Sequence, residues 1–496
     1  MNVFLLYPDR DAPAEMTLPF DSQSVIEDLA LNTLFNVMAG GDPFLFEVAR
    51  QTLLSGLDTP EQIRYRQGIL QDCLNHPEVV RQIYSIPLQA VEKKDSLWMG
   101  VVNRYPSSIL SGGLEMLVMF VDLLKSLQQI ADQHAGQFES EGFQRFFNMI
   151  RQELDEAYFA VVETHLKALK FDSGVFVSAE LGPGNEGTNY ILRRSNQEGA
   201  GWMKRAFARK SPSYSFTLHP KDDYGARALA DIRDQGINLV VNAVAQSADH
   251  IEYFFQVLRR ELGFYVGCLN LAEQIRQLGE PVVFPQPVPA GERQLSCKGL
   301  YDICLALTTR QKMVGNDVRA AGKDLVIITG ANQGGKSTFL RSIGLAQLMM
   351  QCGMFVAADA FSADLCTGLH THYKREEDPT MTSGKFDEEL GRMSAIVDHL
   401  LPDSVLLFDE SFAATNEREG SEIARQIVTA LLEKRVRIFF VTHLVELACG
   451  FHENRLANAA FLRAERGEDG SRSFKLVEGA PLQTGYGMDL YRTIFN

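Results

Sequence analysis

The feature that most constrains this chain is a glycine-rich stretch between a short apolar run and a helical pattern. Residues 324–338 read DLVIITGANQGGKST. The run at 325–329 is apolar and β-branched, as buried strands of a parallel sheet are, and residues 338–350 have the pattern of a helix. A strand, a glycine-rich loop and a helix in this order are the context of a phosphate-binding loop, and residues 330–337 fit its pattern G-x-x-x-x-G-K-[ST].

The chemistry of a polyphosphate explains these residue types at this spacing. Glycines let backbone N–H groups turn toward the phosphates at the positive end of the following helix. The Lys336 ammonium would neutralise the β- and γ-phosphates, and the Ser337 hydroxyl would ligate Mg²⁺. We therefore predict a site for ATP and Mg²⁺. Its predicted nucleotide contacts are Gly330, Ala331, Asn332, Gln333, Gly334, Gly335, Lys336, Ser337 and Thr338.

Two further apolar runs end in polar residues. The run SVLLFDE at 404–410 ends in Asp409, which suits Mg²⁺, and in Glu410, which can orient or deprotonate an attacking water. The run IFFVTH at 438–443 ends in His443, at the rim where α/β sheets bind ligands, and we predict that it senses the γ-phosphate. The predicted catalytic residues are Glu410, Lys336 and His443, and the predicted metal-binding residues are Ser337 and Asp409.

The rest of the chain divides into three patterns. Apolar residues recur at helical spacing from about 24 to 170 and again from about 224 to 279. Between them, VFVSAEL at 175–181 and SYSFTLH at 213–219 are predicted to be short strands. The proline-rich stretch 281–292 has the composition of a linker or of the entry to a domain. After it, strand and helix patterns alternate as in a mostly parallel sheet.

These patterns predict a multidomain chain, in which a long-helix α core and lever region is followed by an α/β P-loop (ABC-type) ATPase domain. We place the helical region at 1–280, with a clamp-like insertion at about 173–222, and the ATPase domain at 281–496. His370 and His372 alternate with Leu369 and Thr371, which favours a strand face over a metal pair, since no third ligand is close in sequence.

Charge and cysteine content narrow the class of protein. The formal net charge of −15 argues against a protein coated with basic surface, although it leaves room for a local basic groove. Seven cysteines without a C-x-x-C pair fit a reducing compartment. The N-terminal residues lack a basic leader, and acidic and basic residues interrupt the apolar stretch 114–127. We therefore expect a cytoplasmic protein that does not enter a membrane.

A basic segment stands out in this acidic chain. Residues 190–210 include six basic residues and a single acidic residue, Glu198. The aromatic residues Tyr190, Trp202 and Phe207 lie among them. Basic side chains bind phosphates and aromatic rings stack on bases, so the segment is a candidate DNA contact. The alternative is a solvated loop that offsets acidic neighbours. The candidate DNA-binding residues are Arg193, Arg194, Lys204, Arg205, Arg209 and Lys210.

Together these motifs resemble the MutS family of DNA mismatch-repair ATPases, in order and spacing over residues 301–496. The segments that carry the resemblance are TGANQGGKSTFLRSIGLAQLMMQCGMFVAA, LLFDESFAATNEREG, FFVTHLVEL, FKLVEGAPLQTGYGMDL and GNDV. The helical region is similar more loosely, best at TPEQIRYRQGILQDCL, 59–74. The resemblance adds Asn316, within GNDV, to the nucleotide contacts and places a DNA clamp at the basic segment.

The chain also departs from the family pattern. A Phe-x-Glu motif, which the family uses to probe mismatches, is missing near the N-terminus; its occurrences, such as the one at 451–453, lie in the predicted ATPase domain. We therefore expect a short member without the mismatch-recognition and connector domains. The family's Ser-Thr-Phe-x-x-Glu-Met signature, which acts on the partner's nucleotide, aligns with GKFDEEL at 384–390. In this chain Ser383 lies one place early and Lys385 introduces a cation, so the candidate trans-acting residues are Ser383, Gly384 and Lys385. The alternative is that the altered signature weakens hydrolysis.

The leading hypothesis is therefore a homodimeric ATPase in which ATP-dependent dimer closure grips double-stranded or branched DNA. By resemblance, its setting is mismatch repair or related DNA repair or recombination, and other repair proteins are possible partners. The alternative is a nucleotide-switched protein scaffold that does not bind DNA, which the acidic balance favours. A steep dependence of binding on salt would distinguish phosphate contacts from protein contacts.

Overall fold

The computed structural model describes residues 1–98, 105–172, 174–193, 214–331, 333–375, 384–466 and 472–481. Its helices are α1 (Ser22–Asp28), α2 (Leu31–Ala39), α3 (Pro43–Leu54), α4 (Pro60–Asn75), α5 (Pro77–Trp98), α6 (Pro106–His134), α7 (Glu141–Glu153), α8 (Glu156–Leu169), α9 (Asp223–Leu278), α10 (Ile303–Thr309), α11 (Lys336–Gln351), α12 (Lys385–Val397), α13 (Glu417–Glu433) and α14 (Val445–Glu453). Its strands are β1 (Val177–Leu181), β2 (Gly187–Leu192), β3 (Gln286–Val288), β4 (Leu295–Leu300), β5 (Asn316–Arg319), β6 (Leu325–Thr329), β7 (Ala360–Asp364), β8 (Leu369–Tyr373), β9 (Val405–Asp409), β10 (Arg437–Val441), β11 (Ala459–Arg466) and β12 (Arg472–Glu478).

The chain forms two compact units, neither of which is continuous in sequence. The first contains Met1–Val3, Arg81–Gln137 and Arg145–Arg259. The second contains Phe4–Val80, Phe138–Gln144 and Arg260–Asn496. The chain is therefore multidomain, with a helical region and mixed α/β sheets, as predicted at that level. The predicted boundary at residue 280, between the helical region and the ATPase domain, stays a prediction.

The first unit is built on long helices that bury one face. In α9 the buried positions 237, 241, 244, 248, 251 and 255 alternate in spacing between four and three residues, which keeps them on one side of the helix. Phe255 of α9 packs against Phe120 of α6, with ring centroids 5.5 Å apart. A Cβ on Gly113 of α6 would lie only 2.9 Å from Val244, so glycine at that position permits the close approach of the two helices.

One described helix, α6 with the short turn after it, is long and apolar enough to cross a membrane on length and composition alone. This is weak evidence for a membrane segment, because the core helix of a soluble protein passes the same test. Phe120, Leu124 and Leu127 of α6 are buried inside the protein, which is the pattern of a core helix.

The prediction of a strand at SYSFTLH was wrong for its described part. Residues 214–219 form no regular structure, and β1 pairs instead with β2, antiparallel, from Val177 opposite Leu192 to Leu181 opposite Gly187. Tyr214 and Phe216 are 95% and 76% exposed. An alternating pattern makes a strand only where a neighbouring strand and a covering layer accept it, and among the described residues no strand pairs with 214–219.

A six-stranded sheet forms the centre of the second unit, in the order β12-β11-β6-β10-β9-β8. The five strands from β11 to β8 are parallel, and β12 is antiparallel to β11. Every residue of β6 and β10 is buried, as their apolar runs 325–328 and 438–441 predict. The polar exceptions, Thr329 and Arg437, lie at strand ends, and Arg437 is paired with Asp364 at 2.7 Å. A second, mixed sheet has the order β3-β7-β4-β5.

The stretch 281–292, predicted to be a linker or the entry to a domain, is paired with strands of the second unit and is not a free linker. It contains β3, which pairs in parallel with β7, and Val283 forms a bridge with Val356. Pro287, at the centre of β3, is buried. Proline fits there because β3 is an edge strand with only one neighbour.

Buried side chains of two helices hold the N-terminal segment 4–12 in the second unit. Glu261 of α9 accepts hydrogen bonds from the backbone N–H groups of residues 5, 6 and 12, and Tyr265 of α9 donates to the carbonyl oxygen of residue 5. Arg66 of α4 donates twice to the carbonyl oxygen of residue 6 and once, at 3.0 Å, to that of Cys352, just after α11. The segment thus joins α4, α9 and the end of α11.

Candidate functional site

Three loops that carry predicted site residues meet at one edge of the six-stranded sheet. β10 lies between β6 and β9, and its last residue, Val441, pairs with Ile328 on one side and Asp409 on the other. Because all three strands are parallel, the segments that follow them leave the sheet at the same edge. The glycine-rich loop, Glu410 and His443 are brought together in this way.

Backbone geometry explains the glycines of the loop at 330–335. Gly330 and Gly335 have φ values of 119° and 88°, in the region that favours glycine. A Cβ on Gly330 would lie 2.9 Å from the backbone nitrogen of Ala464 in β11, and a Cβ on Gly334 would lie 2.7 Å from the Ala464 Cβ. The loop packs so closely on β11 that larger residues would displace it. Asn332 lies outside the described residues.

Lys336, the first residue of α11, directs its ammonium group back into the loop. The side chain is buried, and Nζ donates to the carbonyl oxygens of Gly330, at 3.0 Å, and Ala331, at 2.9 Å. Burial lowers the pKa of Lys336, and the nearby carboxylates of Glu410 and Asp409 oppose that shift. A buried cation of this kind favours an anionic ligand beside it.

Ser337 and Asp409 form a pair of oxygen ligands next to the loop. The Ser337 Oγ donates to Asp409 Oδ1 at 3.0 Å. Burial raises the pKa of Asp409 to about 6, and the hydrogen bond from Ser337 opposes that shift. A hydroxyl and a carboxylate are the protein ligands that Mg²⁺ takes beside nucleotide phosphates, so the residues present fit the ion.

Glu410 lies between two basic side chains. Its Oε1 is 2.9 Å from Nε2 of His443, an ion-pair distance at which the ring N–H is not aligned for a hydrogen bond. Its Oε2 is 3.9 Å from Nζ of Lys374. The contact with His443 is the main cause that holds the pKa of Glu410 below its ordinary value. A carboxylate that stays ionised at neutral pH is a competent base for water.

A cavity of about 370 Å³ opens beside the loop. Its wall combines predicted contacts with apolar side chains, including Asn316, Thr338, Tyr301, Met313 and Phe474. This size lies within the range of small-ligand pockets, about 300–1,000 Å³. The cavity is therefore large enough for part of a nucleotide whose phosphates occupy the loop.

Strand β12 closes the site from the end of the described chain. The buried amide of Asn316 accepts from the backbone N–H of Leu476, at 2.8 Å, and donates to the carbonyl oxygen of Phe474. Arg472 donates to the side-chain oxygen of Gln333 at 2.6 Å. Phe474 has a φ of 56°, which is uncommon for a residue with a side chain and marks strain at this wall.

The sequence interpretation missed several residues of the site. Lys374 follows β8 without any motif. Phe474 begins a segment that was used only for its resemblance, and Arg472 lies two residues before that segment. Each of these residues is far in sequence from the glycine-rich loop, so no local pattern identifies it as part of the site. A basic residue directly after a buried strand was the one available signal for Lys374.

The remaining predicted residues fall into two groups. Gly384 is exposed before α12, and Lys385 is half-buried in its first turn. Arg193 is exposed beyond β2, where its Nε donates to the Ser178 hydroxyl at 2.9 Å. The second group lies outside the described ranges, as Asn332 does, and consists of Ser383, Arg194, Lys204, Arg205, Arg209 and Lys210.

The interpretation of His370 and His372 as strand residues agrees with their surroundings. Both lie in β8 and are buried. Nδ1 of His370 is 2.7 Å from Asp21, and His372 contacts Ser411 and the carbonyl oxygen of Glu389. Within the described ranges, no group of three or more histidine, cysteine or acidic side chains is arranged to hold a metal ion.

Two family models match the chain over most of its length. The model of the MutS2 N-terminal domain matches residues 58–278, and the model of MutS domain V matches residues 326–495. The second match contains the glycine-rich loop, Asp409, Glu410 and His443.

Curated relatives agree with these models. The DNA mismatch repair protein MutS of Streptococcus mutans is 23% identical over 478 residues, which cover 86% of this chain and 54% of the relative. The MutS protein of Thermus aquaticus is 33% identical over 182 residues, 36% of this chain and 22% of the relative. Endonuclease MutS2 of Lactobacillus helveticus is 26% identical over 239 residues, 47% of this chain and 30% of the relative. The chain spans about half, or less, of the length of these relatives. Both family models and the relatives agree, and the chain belongs to the MutS family.

Proposed function

We propose that the protein binds ATP with Mg²⁺ and hydrolyses it to ADP and phosphate. The observation that carries the proposal is the meeting, at one sheet edge, of the buried Lys336 ammonium, the Ser337–Asp409 pair and the Glu410–His443 pair. Hydrolysis of a nucleoside triphosphate needs these parts: a cation for the phosphates, oxygen ligands for a metal ion, and a carboxylate for the attacking water.

Each residue has a proposed task in the reaction. Lys336 would exchange its two carbonyl contacts for phosphate oxygens, which relieves the burial of its charge. Ser337 and Asp409 would hold Mg²⁺, and the ion would neutralise charge on the phosphates. Glu410, kept ionised by His443, would orient the water and take its proton. His443 would respond to the γ-phosphate through its contact with Glu410.

The cavity beside the loop is the proposed site of the nucleoside. The Phe474 side chain, 46% exposed, lines it together with Met313 and Tyr301, and these offer apolar contact to a base. Thr338, two residues after Lys336, lines the same cavity, and Asn316 lines it while holding the backbone of β12. This arrangement supports the predicted roles of Thr338 and Asn316 in nucleotide binding.

We further propose that the protein is a homodimer whose ATP-dependent closure grips double-stranded or branched DNA in the cytoplasm. The names of its MutS relatives assign DNA mismatch repair to those proteins, which supports mismatch repair or related DNA repair for this chain. The exposed Arg193, followed in sequence by five more candidate basic residues, supports the DNA contact. Lys385, half-buried at the start of α12, is proposed to reach the partner's γ-phosphate together with Ser383 and Gly384.

The test combines ATP binding, ATP turnover and DNA titration on three proteins. The wild type is expected to bind and hydrolyse ATP, and Lys336→Ala to lose both activities because its ammonium contacts the loop directly. Lys323→Ala is a matched control, since Lys323 precedes β6 and, among the described contacts, its ammonium group bonds only to the carbonyl oxygen of Ala457. Wild-type turnover in Lys336→Ala would refute the site.

The net charge of −15 suits the alternative, a nucleotide-switched scaffold for a protein partner, but the MutS family models and relatives do not favour it. Titrating plain and branched DNA with and without ATP, at several salt concentrations, separates the two. DNA binding predicts a steep salt dependence, of about −0.9 in log–log slope for each duplex phosphate contact. A wild type that binds ATP but no DNA in any nucleotide state would favour the scaffold.

A further inference from the structure

A buried histidine lies between α12 and the residue that follows Glu410. The ring of His372, in β8, is fully buried and stacks on Phe412 with centroids 5.3 Å apart and planes within 17°. Its Nε2 is 3.0 Å from the carbonyl oxygen of Glu389 in α12. Its Nδ1 is 2.8 Å from Oγ of Ser411, which is also fully buried. One ring therefore contacts both the helix and the loop.

The hydrogen-bond chemistry assigns a single arrangement to this ring. A carbonyl oxygen only accepts, so Nε2 carries the proton that is donated to Glu389. Burial, together with the positive charge of the neighbouring Arg392, lowers the pKa of His372 to about 4, so the ring is neutral at pH 7. Nδ1 is then an acceptor that faces the Ser411 hydroxyl at 2.8 Å. That hydroxyl has one proton, which it donates either to Nδ1 or to the carbonyl oxygen of His372, 2.5 Å away, so both of its possible acceptors belong to His372.

The loop that this ring contacts has a strained backbone. Glu410 and Phe412 have φ values of 52° and 64°, in the left-handed region that residues with side chains avoid. Such conformations persist only when surrounding contacts impose them. Ser411 lies between these two residues, and its hydroxyl is held by His372 alone among the described contacts. The ring therefore helps to set the backbone that aims the Glu410 side chain.

A second link runs parallel to the first. Arg392 of α12 donates through Nη1 and Nη2 to the carbonyl oxygen of Tyr373, both at 3.1 Å. The next residue, Lys374, donates its backbone N–H to the carbonyl oxygen of Asp409, and its Nζ is 3.9 Å from Glu410. The end of β8 is thus fixed to α12 on one side and to the Asp409–Glu410 segment on the other.

We propose that His372 is a positioning residue that transmits the position of α12 to the carboxylate of Glu410 through Ser411. The inference rests on the proposed ATPase function and adds a regulatory path to it. The first turn of α12 carries Lys385, which is proposed to reach the nucleotide of the partner. A shift of α12 when two protomers meet would pull on the Glu389 carbonyl, move the ring of His372 and re-aim Glu410. ATP turnover, rather than ATP binding, would then depend on the intact link.

Three variants break the link at defined places. His372→Asn keeps a polar atom near Nδ1, facing Ser411, and removes the donor to Glu389. His372→Gln keeps an N–H near the position of Nε2 and loses the contact with Ser411. Ser411→Ala removes only the hydroxyl. Each variant is expected to lower kcat about two- to tenfold, the effect of one neutral hydrogen bond, with KM and ATP affinity unchanged.

If the contacts of His372 with Glu389 and with Ser411 act in series, the double variant should differ from one in which two independent packing contacts are lost. Once one end is broken, breaking the other adds nothing, so the double variant His372→Asn/Ser411→Ala should have the kcat of either single variant. Independent structural effects would instead multiply, because separate perturbations add in free energy. The measurements are kcat, KM, ATP affinity and the thermal unfolding temperature of the wild type, the two single variants and the double variant.

His370→Asn is the matched control. His370 lies two residues earlier in β8, is 5% exposed, and has its Nδ1 2.7 Å from Oδ2 of Asp21. This variant should lower the unfolding temperature as much as His372→Asn does and leave kcat unchanged at temperatures well below unfolding. Equal loss of kcat in both histidine variants, or multiplicative loss in the double variant, would overturn the inference. A wild type that binds ATP without hydrolysing it would refute the ATPase proposal and the inference together, whereas an active wild type with unaffected variants would refute the inference alone.

Discussion

Replacing Glu261 with glutamine tests how the N-terminal segment is held. The carboxylate is fully buried; its Oε2 accepts from Leu5 and Leu6, at 2.6 and 3.0 Å, and its Oε1 accepts from Ala12, at 2.7 Å. Burial raises the pKa of Glu261 from 4.5 to about 7, and the three hydrogen bonds oppose that shift. Burial thus disfavours the charge more than the N–H groups stabilise it.

The pKa shift fixes the sign and size of the expected effect. The folded protein binds the proton of Glu261 more tightly than the unfolded chain does. The contribution of Glu261 to the free energy of unfolding is therefore greatest below pH 4.5 and is lost as pH rises through 7. At 1.36 kcal/mol for each pKa unit, the loss is about 3 kcal/mol. Glutamine does not ionise, but its NH₂ group faces an N–H donor, which destabilises the variant by about 1–3 kcal/mol at every pH. Between pH 5 and pH 8, the free energy of unfolding of Glu261→Gln should therefore rise by about 3 kcal/mol relative to that of the wild type.

Guanidinium unfolding at pH 5, 6, 7 and 8 measures this difference. Glu273→Gln is the control, because Glu273 is exposed on the same helix, and its difference from wild type should stay constant over this range. A difference for Glu261→Gln that does not change with pH, or that moves against the variant, would show that the three hydrogen bonds outweigh burial and would refute the reasoning.

Three further predictions concern the candidate site and the basic segment. Glu410→Gln should retain ATP but hydrolyse it slowly, since the phosphate contacts are spared; equal loss of binding and turnover would make Glu410 structural or a metal ligand. Gly420→Ala places a Cβ 2.4 Å from the carbonyl oxygen of Phe412 and should destabilise the protein by about 1–3 kcal/mol and slow turnover, whereas Gly450→Ala, with no atom within 4 Å, should do neither. Reversal of the basic segment should flatten the salt dependence of DNA binding by up to about 0.9 per residue without affecting ATP binding, and an unchanged slope in the folded variant would exclude these residues as DNA contacts. The reversed residues are Arg193, Arg194, Lys204 and Arg205.

The sheet that carries the site was predictable because of how parallel strands are buried. The run at 325–329 is β6 with the same bounds, and the runs ending at Asp409 and before Thr442 are β9 and β10. Strands covered on both faces need continuous apolar sequences, which stand out in any chain. Helix α9 was predictable for a related reason, because apolar residues that keep a helical spacing along a 56-residue segment fit neither a strand nor a loop.

Contacts between distant segments were not predictable from local patterns. The histidine pair in β8 was recognised as strand, yet the partners of His372 lie 17 and 39 residues away, at Glu389 and Ser411. The three backbone groups that Glu261 holds are about 250 residues earlier in the chain. A single sequence records which residues are polar, and the fold decides which of them meet.

The same limit explains the error at 213–219. Its alternation of polar and apolar residues resembles that of VFVSAEL, and only one of the two segments lies beside a partner strand. The partner, β2, begins with the polar stretch 187–189, and its apolar residues are confined to 190–192, without the alternation that marks a half-buried strand. Pairing in an exposed two-stranded sheet depends on the turn that joins its strands more than on hydrophobic pattern.

The path from the site to the rest of the protein follows one helix. Helix α11 begins at Lys336 in the glycine-rich loop and ends at Gln351, and the carbonyl oxygen of the next residue, Cys352, accepts from the buried Arg66. Arg66 is also bonded to the backbone at residue 6, whose N–H is held by Glu261 of α9, a helix shared by both compact units. A buried guanidinium that loses an acceptor is strongly destabilising, so α11 cannot shift unless these contacts shift with it. Loosening the N-terminal segment through Glu261 should therefore alter the response of α9 to nucleotide, which hydrogen exchange in α9 with and without ATP would detect.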